Sequence, residues 1–399
     1  MAPVFDTDIM TDARPQPQLK ILLEHELQPK VCVVVGTRPG IIMFSPVVRE
    51  LERQGVPYFI LHTGQHYSPN MDRQFFEELE LPEPGYTLET VKLSTLHGAQ
   101  TAEMLRGCEQ VLLEERPRLV LVSGDANTNL AAALAARKLH IRVGHVEAGE
   151  RSHDWRMPEE HNRVLIDHLS EYLFATTEKA EQNLKADNVR GEIVVTGNPI
   201  VDACRENLEL ATRHSTILSE LGVDKEPYAA ATVHREENTD SRSALAGILE
   251  GMRLLGERLG LRLVFAVHPR TRKRMEEFGF AEQADGLLLT HALGYVDFLN
   301  LMAGSKLVVT DSGGVQQESC ILGVPCVTLR DSTEWTETLE CGANRLAGAD
   351  PERILGAAEA MLDAPRGWSH PFGDGHAAER IARVAAGVVK SRTEVVAAQ

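Results

Sequence analysis

Short apolar runs separated by helical stretches constrain this 399-residue chain more than any other feature. The runs fall at 31–36, 58–62, 119–123, 143–147, 172–175, 193–196, 229–234, 261–267, 287–289, 307–310 and 326–329. They carry Val, Ile and Leu on both faces, as parallel strands covered by helices on two sides must. Helical patterns at 46–54, 101–115 and 241–259 lie between them. Strand–helix alternation at this spacing builds right-handed βαβ units and a doubly wound α/β sheet. The length predicts two such Rossmann-like domains, at 30–205 and 206–380. A loosely ordered extension, 1–29, precedes them, with a short helix expected around 19–27. A C-terminal helix and tail, 381–399, are expected to turn back toward the first domain. The polar, mostly helical region 201–225 suits the linker.

Charge and composition exclude several partners. The chain has 58 acidic and 41 basic residues, a formal net charge of −17. That argues against nucleic acid and against an anionic membrane, both of which need a basic surface. No apolar run is long enough to span a bilayer, and the N-terminus lacks the pattern of a signal peptide. The six Cys are scattered with no CxxC, which predicts reduced thiols in a cytoplasmic protein.

The polar motifs cluster at strand ends: Gly36-Thr-Arg38-Pro39, His62 to His66, Ser123-Gly-Asp125, His145-Val-Glu147, His234-Arg235, His268-Pro269 and Asp311-Ser312-Gly313-Gly314. Open parallel sheets bind ligands beyond the carboxyl ends of their strands. The segment from Asp311 to Glu318 is the most specific. A strand that ends in Ser-Gly-Gly and opens a helix presents bare N–H groups, an anion site. Glu318, one turn on, can accept hydrogen bonds from sugar hydroxyls. Arg38 offers a fork of donors to phosphate.

Three acidic residues are candidate proton carriers. Asp125 and Glu147 end strands, and carboxylates in a partly desolvated cleft can work as acid or base near neutral pH. Glu159, in Met157-Pro-Glu-Glu160, divides evenly between that role and a simple helix-first-turn acid. His234 and His268 lack the company of metal ligands, so no metal is expected. No GxGxxG or Walker A sequence occurs, which counts against NAD and against an ATPase mechanism.

Taken together, these motifs resemble the non-hydrolysing UDP-N-acetylglucosamine 2-epimerases. The resemblance rests on Gly36-Thr-Arg-Pro39, Gly124-Asp125, Gly144-His-Val-Glu-Ala-Gly149, Arg151, Met157-Pro-Glu-Glu160, Asn162-Arg163, Thr196-Gly-Asn198, His234-Arg235, Glu237-Asn238, Thr310 to Gly314 and Gly373-Asp-Gly375. It runs from about residue 30 to about 388. It implies a glycosyltransferase-B-like fold with a nucleotide sugar in the cleft, and no cofactor or metal for the chemistry. It further implies elimination of UDP across C1–C2 of the sugar and re-addition through a glucal. Carried over, Asp125, Glu147 and Glu159 would move the C2 proton, with Arg163 nearby. Arg38 and His234 would serve the pyrophosphate, Ser312, Gly313 and Gly314 would hold it, Glu318 the ribose and Phe298 the uracil. Gln65 and His66 match part of a second, activating site. A homodimer is the family's common assembly.

The chain departs from the usual pattern at Gly40 (Glu in the family), Met43 (Lys), Ala126 (Thr), Glu150 (Leu) and Gln317 (Glu), all expected near the sugar or its supports. The nucleotide side is nearly intact, so UDP is expected and the sugar is open. A hydrolysing 2-epimerase, a glycosyltransferase of the same fold and a non-catalytic sensor are the competing readings. The carboxylate set argues against the last two.

Overall fold

The computed structural model describes residues 28–65, 75–89, 96–280 and 282–391. The helix expected at 19–27 lies outside them. Two all-parallel sheets form. The first has seven strands: β1 Val31–Val35, β2 Tyr58–His62, β3 Tyr86–Thr87, β4 Leu119–Ser123, β5 Arg142–Ala148, β6 Tyr172–Ala175 and β7 Glu192–Val195, in the order β3-β2-β1-β4-β5-β6-β7. The second has six: β8 Tyr228–Thr232, β9 Arg262–Ala266, β10 Leu288–Thr290, β11 Leu307–Thr310, β12 Cys326–Thr328 and β13 Asn344–Leu346, in the order β10-β9-β8-β11-β12-β13. Both reverse direction at the same place, between β1 and β4 and between β8 and β11. Central strands such as Val31–Val35 and Leu119–Ser123 are buried along their whole length, which is why they read as continuous apolar runs.

Two strands depart from expectation. β3 pairs through Leu61–Tyr86 and His62–Thr87 only, and β13 carries Asn344 and Arg345. Both are short edge strands, and a two- or three-residue polar strand has no periodicity of its own. Its neighbour makes it a strand.

The first helix also differs. It spans Arg38–Arg53, not 46–54, so Pro46 sits inside it. Thr37 caps it by accepting the Gly40 N–H at 3.4 Å. Pro46 has no N–H to give the Ile42 carbonyl one turn back. The Ser45 hydroxyl donates to that carbonyl instead, at 2.9 Å. One side chain thus repairs the gap and lets the helix run on.

After the second sheet the chain returns. Helix Ala377–Lys390 packs Ile381, Ala382 and Ala385 into the same core as Val31, Val33 and Leu119 of the first sheet. Buried Asp202 caps its start, accepting the Ala377 and Ala378 N–H groups at 3.3 and 3.1 Å. Burial pushes the Asp202 carboxyl up to about 6. Here the outgoing and returning segments touch: a Cβ on Gly373 would lie 2.9 Å from Gly197 Cα, and the two glycines hold φ of +107° and +83°. Further ties join the two halves. Glu78 accepts the Val296 N–H at 2.9 Å, and Arg49 donates to Glu206 (2.6 Å) and Asn207 (3.0 Å).

Candidate active site

The carboxyl ends of the two sheets face one another across a cleft of about 800 Å³. It lies at both strand-order reversals, where parallel α/β sheets bind ligands. Arg38, Asp125, Glu147, Glu159, Arg163, His234, Phe298, Ser312, Gly313, Gly314 and Glu318 all line it, as does Gln65. His66 lies outside the described residues.

The wall of the second sheet carries an open helix start. Helix Gly313–Ile321 follows β11, and its N-cap, Ser312, makes no side-chain capping bond, so no capping side chain takes up its first-turn N–H groups. Gly313 sits in a crowded place: a Cβ there would meet the Glu334 carboxylate at 2.5 Å and the Trp335 indole nitrogen at 3.0 Å. Gly314 is different: nothing lies within 4 Å of the Cβ position, and the space above it is open. Asp311 at the end of β11 is buried and accepts the N–H groups of His234 (3.0 Å) and Arg235 (3.0 Å) and the Asn238 amide (3.0 Å). His234 Nδ1 stands 3.3 Å from the same carboxylate, which fixes the ring at the cleft. Burial lowers the His234 pKa, Asp311 opposing it, and the ring stacks at a tilt 5.7 Å from His268. Glu318, on the next turn of the helix, is pushed up to about 7 by burial. Phe298 stands on helix Tyr295–Gly304, whose first N–H groups Glu78 caps from the other half.

The wall of the first sheet carries the acids. The β5–β6 pairing shifts register between Val146 and Ala148, and Glu147, the residue at this bulge, holds φ +69°. A bulge turns one side chain out of the alternation of its strand; here it aims a carboxylate at the cleft. A left-handed backbone at a non-glycine residue costs strain and concentrates at functional positions. Burial, then Glu150 and Asp125, push the Glu147 carboxyl up to about 8, against Arg163 and an amide bond from Asn198 (3.3 Å). Asn198 also caps helix Pro199–His214, so one amide side chain fixes both a helix start and this acid.

Asp125 is ion-paired with Arg163. Arg163 also donates to Glu160 at 2.9 Å. Glu160 is buried and accepts the Ser152 N–H and hydroxyl at 2.9 Å each and the His153 N–H at 3.0 Å. Of the neighbouring pair Glu159 and Glu160, then, Glu160 is locked into structure, and Glu159 is the one exposed at the rim. Gln65 uses its carbonyl to accept the Thr128 N–H (2.9 Å) and hydroxyl (2.8 Å). It thereby caps helix Asn127–Lys138, whose own N-cap, Ala126, cannot.

Sequence reasoning missed the network behind this wall. His145 sits between Asp167 (2.6 Å) and the Gly124 carbonyl (3.1 Å), and Arg151 donates to Asp167 (2.6 Å) and Asp187 (2.8 Å). The motif containing His145 and Arg151 was visible, but its partners are 16 or more residues away and carry no local signal. Of the positions that depart from the family pattern, Gln317 stands on helix Gly313–Ile321 at the cleft, and Met43 is buried in the first core with one side at the cleft.

Two facing Rossmann-like sheets, with an open helix end on one wall and bulge-mounted and ion-paired carboxylates on the other, define a two-domain α/β protein of the glycosyltransferase-B-like class. Residues 49–386 match the family model described as UDP-N-acetylglucosamine 2-epimerase. The chain belongs to the UDP-N-acetylglucosamine 2-epimerase family. It is 47% identical over 361 residues to the UDP-N-acetylglucosamine 2-epimerase of Methanocaldococcus jannaschii, covering 89% of this chain and 98% of that one. A solved structure from that organism, in complex with UDP-GlcNAc and UDP, superposes with a TM-score of 0.81 over 89% of this chain and 99% of its own. The UDP-2,3-diacetamido-2,3-dideoxy-D-glucuronate 2-epimerase of Pseudomonas aeruginosa is 39% identical, covering 88% of this chain and 98% of the relative. Among the described residues no helix is long and apolar enough to cross a membrane.

Proposed function

We propose that the protein interconverts UDP-N-acetylglucosamine and UDP-N-acetylmannosamine by anti elimination of UDP and re-addition through a glucal. The observation that carries the reading is the pairing across one cleft of an open helix end with two carboxylates in unlike surroundings. The C2 hydrogen of the sugar is not beside a carbonyl and is barely acidic, so it must leave as UDP departs. The Gly313 and Gly314 N–H groups, with Arg38 and His234, take up the charge developing on the leaving pyrophosphate. Glu318 accepts the ribose hydroxyls and Phe298 flanks the uracil.

Asp125, held in an ion pair by Arg163, takes the C2 proton. Glu147, whose carboxyl carries its proton up to about pH 8, returns one to the opposite face of the glucal. The reverse reaction exchanges the two roles, and a pKa near the working pH suits a group that must both give and take. Glu159 at the rim is the third carboxylate. Re-addition is favoured over hydrolysis because the features that grip UDP before elimination still hold it afterwards. A second-site role for Gln65 would use its amide nitrogen, its carbonyl being engaged. The reading carries a homodimer and a cytoplasmic setting; sedimentation of the pure protein as a single two-chain species is the check on the former.

Incubation with UDP-N-acetylglucosamine in D2O, followed by NMR, tests the reaction. Deuterium at C2 and two C2 epimers still attached to UDP are expected; free sugar plus UDP would establish the hydrolytic course. Asp125→Asn and Glu147→Gln are each expected to keep UDP binding within about tenfold while slowing C2 exchange at least about a hundredfold. Exchange at the wild-type rate in either variant would remove that residue from the proton transfer.

A further inference from the structure

Glu150 lies just past β5 and lines the cleft close to Glu147. Its carboxylate accepts the Thr176 hydroxyl, which fixes its direction. Its charged neighbours are Arg163, Lys179, Glu337 and Glu147. The cations among them are already matched. Arg163 is held between Asp125 and Glu160, and Lys179 stands 3.4 Å from Glu337. Arg151, the next residue along, is taken by Asp167 and Asp187. Met43, also at the cleft, contributes only apolar surface. Among the described residues, the wall around Glu150 therefore holds a fixed acceptor for hydroxyl groups and no unmatched cation for a carboxylate.

We infer that Glu150 selects the sugar by charge: a neutral N-acetylhexosamine enters as a hydrogen-bond donor to Glu150, and the corresponding hexuronate, anionic at its exocyclic carbon, is turned away. This rests on the reading of the cleft as a UDP-sugar 2-epimerase site. Two carboxylates in one desolvated cleft repel, the cations near Glu150 already being engaged by other acids, and a built-in repulsive element is how closely related ligands are told apart. Thr176 matters because it prevents Glu150 from swinging away to make room.

The test compares C2 hydrogen exchange by the whole protein on UDP-N-acetylglucosamine and on UDP-2-acetamido-2-deoxyglucuronate. Wild type is expected to prefer the neutral sugar in kcat/KM by at least about a hundredfold. Glu150→Gln keeps the size and the Thr176 contact but removes the charge, and is expected to reduce that preference at least about tenfold; Glu150→Asp should retain most of it. The ratio of two substrates in one preparation is insensitive to partial misfolding. Inhibition of wild-type exchange by the uronate needs no variant, and a Ki at least about a hundredfold above the KM of the neutral sugar is expected. Equal use of both sugars, preference for the uronate, or an unchanged ratio in Glu150→Gln would overturn the selection while leaving the 2-epimerase reading intact. Exchange of neither sugar would overturn both.

Discussion

At the scale of single residues, the cleft is organised by what its carboxylates touch. Asp125 faces a guanidinium, Glu160 is enclosed by donors, and Glu147 is set on a bulge among other acids. Holding Glu147 there has a cost in stability with a definite pH course. Its folded pKa of about 8 lies above the ordinary value of 4.5. Below pH 4.5 it is protonated folded or unfolded and contributes nothing. Between 4.5 and 8 the unfolded chain ionises first, so the folded state loses ground, and above 8 the loss levels off. A shift of that size corresponds to a ceiling of roughly 5 kcal/mol, and partial opening to the cleft reduces it. Glu147→Gln is therefore expected to stabilise the ligand-free protein by about 1–2 kcal/mol at pH 8 and by much less at pH 5, read from denaturant midpoints at the two pH values. A gain independent of pH would show that the acid is not strained by its surroundings.

At the scale of elements, two helix starts make separable predictions. Gly314→Asp has room for its side chain but places a carboxylate where phosphate would sit. Titration with UDP should show affinity reduced at least about tenfold with unchanged unfolding, since like charges oppose at a site that otherwise attracts anions. Ser45→Ala leaves the Ile42 carbonyl open beside Pro46 and should cost about 1 kcal/mol by denaturant unfolding. The central strands were legible because burial on both faces writes itself as unbroken Val, Ile and Leu. β3 and β13 were not, because an edge strand of two or three residues is defined by its partner. Pro46 looked like a helix start; the Ser45 hydroxyl that makes it an interior residue acts through a bond no pattern records. The strand-end positions of Asp125, Glu147 and Asp311 could be read from the chain. The bulge at Glu147 and the cap that Gln65 lends to a distant helix could not, since both depend on pairing between remote segments.

At the scale of the whole molecule, the chain passes from the first sheet to the second and comes back, and the two passages meet at Gly197 and Gly373. Gly373→Ala would force a methyl group to within 2.9 Å of Gly197 Cα at a φ of +107°. A loss of roughly 2 kcal/mol is expected by denaturant unfolding, with the helix at 377–390 becoming the first to exchange its amide hydrogens. Two strands of chain pinned at one point also restrict how the halves can move. A single connection would permit twist and slide; a doubled one behaves as the spine of a book and leaves chiefly rotation about one hinge line. The carboxylates and the open helix end are the facing pages, so each opening returns them to the same mutual register.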